Sequence, residues 1–584
     1  MIWIHPGILA IAGAFLIPLI PSRFVRKIYF LSLPISSLLI LLLTSQGFFG
    51  ETPFTSWRIQ FVDKELILAR IDALSLVFAY AFAIIAICAS VYSLHIRNDW
   101  EHFVAMIYFG STLGAVFAGD LFTLYIFWET MAISAVFLIW FRGTRASRNA
   151  GFRYLIWHVI GGALLLSGIV LHVQKTDSTI FTSFIEFFSL STEGFPYILI
   201  LLGFMLNAAV IPLHSWLTDS YPEASITGAI YMTAFTTKTA VYALARGFPG
   251  LEILAWLGAI MAMYGVVYAV IVNDGRRLLA YHIVSQIGYM VCGVGLGTQL
   301  ALNGAVSHAF CHIIYKGLLF MGMGAVIEVT GKSKFTELGG LYRYMPMTFS
   351  LYMVGALSIS GFPLFSGFVS KTMTVFASAE LHLPVIFLLL EGATIGSYLH
   401  TGLRLPWNVW FSKKPEITAR EPPKNMLVAM AMAAFLCVFL GTYPGYAILY
   451  ALLPYPVEYE PYEPLKVVTI MQLFAFTTLA FFIYREKYRG VDATVLDTDW
   501  FGRVLGNKFI HFCENQLVNL AKSLDRNFSS LSRRVKVLFT NPEMTLRAKN
   551  LETQGFDDTN KLDTGIGLLI VMLFMLLYLL FLLV

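Results

Sequence analysis

The stretch HAFCHIIYKGLLF, from His308 to Phe320, is nearly all apolar, yet it holds His308, His312 and Lys316 at four-residue intervals. On a helix these three fall close to one line over about two turns, roughly 12 Å of rise. A run suited to lipid or a dry core thus lines up three groups that bind protons. The composition says which interior it is. Of 584 residues, 58% are hydrophobic and 13% charged, with a mean hydropathy of +0.72. Soluble domains carry about 25% charged residues. A soluble core of this size has no room for so many apolar side chains, so the chain reads as an all-α polytopic membrane protein.

Apolar runs long enough to cross a bilayer recur about sixteen times. They fall near 3–21, 28–47, 74–94, 103–119, 121–141, 154–174, 197–216, 223–245, 252–272, 278–298, 303–328, 348–379, 384–405, 425–452, 467–484 and 563–584. The run 348–379 is too long for one simple helix. At the N-terminus, MIWIHPG lacks the basic start of a secretory signal, and Arg23 to Lys27 follow the first span instead of preceding it. Arginines and lysines gather in alternate connections, at Arg142 to Arg153, at Arg276 and Arg277, and at Lys413 to Lys424. The positive-inside rule then puts both termini outside a cytoplasmic (inner) membrane.

Two spans contain interior prolines in similar settings, Pro212 in NAAVIPLHSWL and Pro363 in ISGFPLFSGFVSK. A proline removes a backbone hydrogen bond and breaks the helix, and the freed carbonyls need protein or water as partners. Broken helices in corresponding places of two halves are the sequence mark of a transport site. The division expected is N-terminal helices over 1–102, five-helix repeats over 103–245 and 252–405, and further helices over 425–484. An odd number of helices inverts one copy relative to the other.

Residues 485–562 are polar overall, but Leu505, Phe509, Phe512, Leu520, Leu524, Phe528 and Leu531 recur at helical spacing opposite Lys508, Lys522, Arg526 and Arg533. This predicts an amphipathic helix of about 40 residues, interrupted at Pro542. It either lies in the headgroup layer or straps along a partner subunit, with 563–584 as a terminal anchor.

Ionisable groups inside spans are functional candidates, because each costs a few kcal/mol to insert. Glu129 lies in LYIFWETMAISAVFLIW, Lys238 in AFTTKTAVYALAR, and Lys371 follows the Pro363 break. His214 follows Pro212, and His282 sits in LLAYHIVSQIGYM. A lone histidine such as His158 or His282 reads as a packing residue. A single buried Glu–Lys pair could merely join two helices, but one central glutamate and several lysines in different spans point to a proton relay. The five cysteines show no metal-ligand spacing, and Cys311 beside His312 points elsewhere on a helix. No GxGxxG or phosphate-binding loop stands in a polar segment. Neither cofactor, metal site nor nucleic-acid contact is expected, and electrons of any redox partner travel elsewhere.

These stretches, together with DLFTLYIFWE (Asp120 to Glu129), IPLHSWLTD (Ile211 to Asp219), KTAVYALAR (Lys238 to Arg246) and DGRRLLAYHIVSQIGYM (Asp274 to Met290), resemble a known family. It comprises the antiporter-like subunits of respiratory complex I, membrane-bound hydrogenases and Mrp-type sodium/proton antiporters. The resemblance spans roughly residues 100–405. It implies fourteen or more helices, with two inverted five-helix repeats each holding a broken helix. By resemblance Glu129 is the fifth-helix glutamate and Lys238 the eighth-helix lysine. His308, His312 and Lys316 are the eleventh-helix relay, and Lys371 is the twelfth-helix group beside the outward path. The family usually carries a lysine five residues before the seventh-helix proline, where this chain has Asn207. An amide can hydrogen-bond Glu129 but carries no charge. Asn207, His214 and His282 are therefore accessory candidates. The C-terminal extension resembles the lateral helix of the distal antiporter-like subunit, on the cytoplasmic side.

The function expected is a subunit moving protons, alone or against sodium, within a multisubunit complex of the NADH-quinone oxidoreductase, hydrogenase or Mrp type. The chain itself carries no catalytic or redox site. An autonomous cation/proton antiporter and a structural subunit that no longer pumps are the alternatives.

Overall fold

The computed structural model describes residues 4–46, 54–61, 63–412, 417–492, 495–519, 522–526 and 528–529. Each expected span up to residue 484 coincides with a helix or a pair of helices. The chain opens with α1 (Pro6–Ala14), α2 (Arg23–Gln46), α3 (Ala73–Ser93) and α4 (Asp99–Phe117). Then come α5 (Leu121–Trp140), α6 (Arg145–Thr176), the broken pair α7 (Phe195–Asn207) and α8 (Ser215–Ser220), and the kinked pair α9 (Gly228–Ala234) and α10 (Thr236–Gly247). The next group is α11 (Glu252–Ile271), α12 (Gly275–Leu296), α13 (Gln299–Thr330), the broken pair α14 (Pro346–Ser360) and α15 (Ser366–Glu380), and α16 (Pro384–Ser397), which runs on into π-helical turns over Tyr398–Arg404 and Trp407–Phe411. Last in this unit are α17 (Lys424–Phe439), α18 (Gly445–Ala451) and α19 (Pro464–Tyr484).

The starts of these helices are written in the sequence. Asp72, Asn98, Asp120, Thr144, Asp274 and Thr298 each stand just before a helix and accept a hydrogen bond from a first-turn N–H. α6 and α13 are both 32 residues long, begin after Thr144 and Thr298, and end at left-handed Asp177 and Gly331. Just beyond them, isolated strand pairings join Asp120 to Ile180 and Asp274 to Lys334. Every one of these four pairs of landmarks is separated by 154 residues.

A small hairpin was not anticipated. β1 (Phe54–Phe61) pairs antiparallel with β2 (Lys64–Ile71), Phe61 opposite Lys64 and Phe54 opposite Ile71. Its signal is short alternation, which a search for 20-residue apolar runs passes over. The hairpin is pinned to the corner between α4 and α5: Gly119 N donates to the Ile67 carbonyl at 2.9 Å, and Ile67 N donates to Asp120 Oδ2 at 2.7 Å.

α12 and α13 form the centre, buried along almost their whole length. The His308–Lys316 line therefore faces protein on all sides, not lipid. α11 and α12 approach through glycines, a common device where lipid gives little hydrophobic drive. A Cβ at Gly258 would lie 2.3 Å from Cys292 N, and one at Gly288 would lie 2.5 Å from Ala262 N. The second unit, from Asp499 on, begins with α20 (Asp499–Phe512) and a π-helical turn over Cys513–Leu517. Leu505, Phe509 and Phe512 on α20 are exposed, as the amphipathic pattern requires. The rest of the expected lateral helix beyond residue 529 and the expected anchor 563–584 lie outside the described residues. Gly288→Val should force α11 and α12 apart and destabilise by about 1–3 kcal/mol. Thermal unfolding of the purified protein checks this, and an unchanged melting point would show that the approach is not tight.

Candidate functional site

Pro363 cannot donate to the carbonyl four residues earlier, that of Ile359. Lys371 Nζ supplies the missing donor at 3.1 Å. The break over Gly361–Phe365 is otherwise closed by its own turn, with Gly361 N on Ser358 O and Phe362 N on Leu357 O, both at 3.0 Å. Lys238 plays the same part at the junction of α9 and α10, donating to the Thr233 carbonyl and, at 3.1 Å, to Thr237 Oγ1. Near the Pro212 break a neutral group stands in this role: Trp216 Nε1 donates at 2.9 Å to the Leu206 carbonyl, which also accepts from Ala209 N at 3.0 Å.

Between the two lysines runs α13 with its three ionisable groups, all fully buried. The His308 and His312 rings lie 6.1 Å apart, centre to centre. His308 is held at both nitrogens, Nδ1 by Ser370 Oγ at 3.3 Å and Nε2 by Tyr315 OH at 3.4 Å. Among the described residues His312 has a partner at neither nitrogen, and Lys316 Nζ has none. Lys371 Nζ stands 4.8 Å over the Tyr289 ring. The structure thus gathers Lys238, His308, His312, Lys316 and Lys371 into one buried band that joins a helix kink to a helix break.

Glu391 on α16 was missed by the sequence reading, which counted a single central glutamate. It lies close enough to Lys371 for their charges to interact, and its Oε2 has no hydrogen-bond partner among the described residues. His282, an accessory candidate, faces His400 at 5.6 Å between ring centres, and His400 was likewise not singled out.

Glu129 sits apart from this band. Its Oε1 occupies the space over Gly162 on α6, where a Cβ would lie 2.0 Å away. Ile126 and Ile133 beside it on α5 are exposed, so the glutamate borders an uncovered face of the chain. The hydrogen bond that an amide at 207 could give Glu129 is not seen: both side-chain polar atoms of Asn207, and Glu129 Oε1, are without partners among the described residues. Asn207 is fully buried at the last turn of α7.

His214, the remaining accessory residue, belongs to a different cluster. Its Nε2 donates to Asp497 at 3.2 and 3.3 Å, while Tyr281 OH donates to the same carboxylate at 2.5 Å and Tyr264 OH to its other oxygen. Asp497 comes from the polar stretch after α19, which also bonds Arg404 and Asn408 through the Tyr488 carbonyl and Asn273 through Asp492. Burial alone would raise the Asp497 carboxyl, but the bond and charge of His214 and the two tyrosine hydroxyls hold it well below the usual carboxylate range.

The family model described as NADH:quinone oxidoreductase/Mrp antiporter, TM, matches residues 118–396. NADH-quinone oxidoreductase subunit N of Desulforudis audaxviator is 31% identical over 361 residues, covering 57% of this chain and 72% of that protein. The chain belongs to the NADH:quinone oxidoreductase/Mrp antiporter transmembrane family. It is a multi-pass membrane protein. Hydrogenase-4 component B of Escherichia coli is 28% identical over 426 residues, 65% of this chain, which spans 63% of that relative's length. In fold, the chain matches one from the structure of the membrane-bound sulfane sulfur reductase, an archaeal respiratory membrane complex. The TM-score is 0.72, with 23% identity over 98% of this chain and 99% of that one. The family match contains every relay candidate from Glu129 to Lys371, and also Glu391; Asp497 lies beyond it.

Because the Asp497 carboxyl is depressed, its tie to His214 is present at neutral pH and is lost only as pH falls through that lowered range. Asp497→Asn should release the stretch 489–498 at pH 7. We expect its amide hydrogen exchange to speed up by about tenfold, the scale of one charge-assisted hydrogen bond. Unchanged exchange would assign the docking to the Tyr488 and Asp492 contacts alone.

Proposed function

We propose that this chain is a proton-translocating membrane subunit of a multisubunit complex of the complex I, hydrogenase or Mrp type. In this reading Glu129, Lys238, His308, His312, Lys316 and Lys371 are the proton-carrying residues. The single observation that carries it is the buried band of base-bearing side chains running from the α9/α10 kink to the Pro363 break. A packing role for such groups asks that each be satisfied locally. His312 and Lys316 offer polar atoms with no partner among the described residues, which suits proton carriers served by water. The relatives' names support the setting, since they are subunits of a quinone oxidoreductase, a hydrogenase and Na(+)/H(+) antiporters. The charge bias of the loops supports termini outside, with the amphipathic segment from about residue 500 on the cytoplasmic side along a partner.

In this mechanism the lysines alternate between ammonium and amine. As ammonium, Lys238 and Lys371 each donate to a carbonyl left open at a helix interruption, near the negative end of a half-helix dipole. As amine, each keeps a lone pair that can take the next proton. His312, bare at both nitrogens, carries the proton between Lys238 and Lys316. Glu391 gives Lys371 a countercharge at the far end of the band.

Lys316→Ala and Lys371→Ala should each cut proton flux in vesicles containing the assembled complex by about a hundredfold, the scale of losing one proton-transfer group. Glu129→Gln, which keeps the shape, should do the same without loss of assembly. Normal flux per assembled complex in all three would overturn the relay. Deleting residues from about 500 onward should weaken co-purification with neighbouring subunits more than it disturbs folding of the remaining helices. Full recovery of partners with the truncated chain would leave only contact with the lipid surface.

A further inference from the structure

α6 and α13 share length, cap type and flanking strand pairings at a constant separation of 154 residues. At that separation the line His308, His312, Lys316 on α13 corresponds to Tyr154, His158, Gly162 on α6. We propose that His158 is a proton-carrying residue of the first half, the counterpart of His312. The inference rests on the relay reading above and extends it to a residue that sequence assigned to packing.

Three contacts make the case. First, the place of Lys316 is empty of side chain on α6, and the Glu129 carboxylate lies in it, with Oε1 against Gly162. The acid thereby takes up, from a neighbouring helix, the position that the lysine holds on α13. It lies one helical turn from His158, since positions four apart are neighbours on a helix face. Second, His158 is buried with Nδ1 on the Tyr154 carbonyl at 2.9 Å. A carbonyl only accepts, so Nδ1 carries the hydrogen and Nε2 bears the lone pair. That Nε2 is fully buried and has no partner among the described residues. A packing histidine would be expected to use both nitrogens. Third, the ring is fixed by aromatic walls that leave the lone pair open, stacked 3.8 Å from Tyr154 and edge-on to Trp216 at 4.6 Å. Trp216 also holds the α7 carbonyl next to Asn207. Tyr154 OH reaches Thr236 Oγ1 at 3.4 Å, and the next residue, Thr237, accepts from Lys238.

The step conserves protons. Glu129 passes from carboxyl to carboxylate as Nε2 of His158 takes the proton through water, giving an imidazolium whose Nδ1–H stays on the Tyr154 carbonyl. Nε2 then releases that proton, again through water, and the Lys238 amine becomes ammonium. His158 ends as it began. With Asn207 uncharged, the histidine supplies the first half with a base between Glu129 and Lys238.

The test uses His158→Phe in the full assembled complex, because phenylalanine keeps the stack between Tyr154 and Trp216 and removes only the proton site. Proton flux per assembled complex should fall by about tenfold or more. The double variant His158→Phe/Asn207→Lys should recover much of it, since a lysine on α7 returns a base to the first half, one residue from the carbonyl that Trp216 bonds beside His158. A packing role would give no such rescue. Normal flux in His158→Phe, or a loss that Asn207→Lys leaves unchanged, would overturn the proposal. Lys316→Ala measured alongside keeps the readings apart: if it is defective while His158→Phe is normal, only the role of His158 falls, and if Lys316→Ala is also normal the relay itself falls.

Discussion

A helix interrupted inside a membrane leaves a carbonyl with no donor, in surroundings where an unsatisfied polar group costs several kcal/mol. The bond from Lys371 to the Ile359 carbonyl meets that constraint, and much of the site depends on it. Proline at 363 opens the carbonyl, and the carbonyl in turn makes a buried ammonium tolerable. Lys238 solves the same problem at the α9/α10 kink with the Thr233 carbonyl. In both places the cost of an open carbonyl and the cost of a buried cation offset one another.

The two halves use this device unequally. In the second half the break is held by a charge, and the neighbouring helix adds His308, His312 and Lys316. In the first half the neutral indole of Trp216 bonds the Leu206 carbonyl near the Pro212 break, Asn207 has no partner among the described residues, and the acid is supplied from α5 onto a glycine of α6. The same scaffold therefore carries two chemistries, one rich in bases and one built around a carboxylate. Asp497 adds a third element from the stretch after α19. It ties the polar stretch after α19 to His214 on the far side of the Pro212 break, and to α11 and α12 through Tyr264 and Tyr281.

Much of the fold was legible because bilayer thickness imposes long apolar runs. The run 348–379 was already too long for one helix, and Pro363 says where it divides. The hairpin at 54–71 was not legible, since strands of eight residues carry a weak alternating signal among strong helical ones. The His308–Lys316 line and Lys371 stood out as charges in oil. Glu391 in LLLEGAT was passed over although it is a charge in an apolar run, and its meaning depends on Lys371 near it on another helix. Asp497 reads as an ordinary polar residue, and only the fold brings it to His214, 283 residues away in sequence. The relation between α6 and α13 was hidden because their side chains differ and their shared features are capping and length.

The central claim is that the buried band is wet and continuous, so that protons pass in the membrane plane between Lys238 and Lys371. An electron cryomicroscopy map of the assembled complex at a resolution that shows ordered water tests it most directly. The account predicts water density touching His312 and Lys316 and joining them to both end lysines without a dry gap. An apolar gap wider than about one water on either side of His312, with Lys316 bonded instead to protein groups, would contradict it.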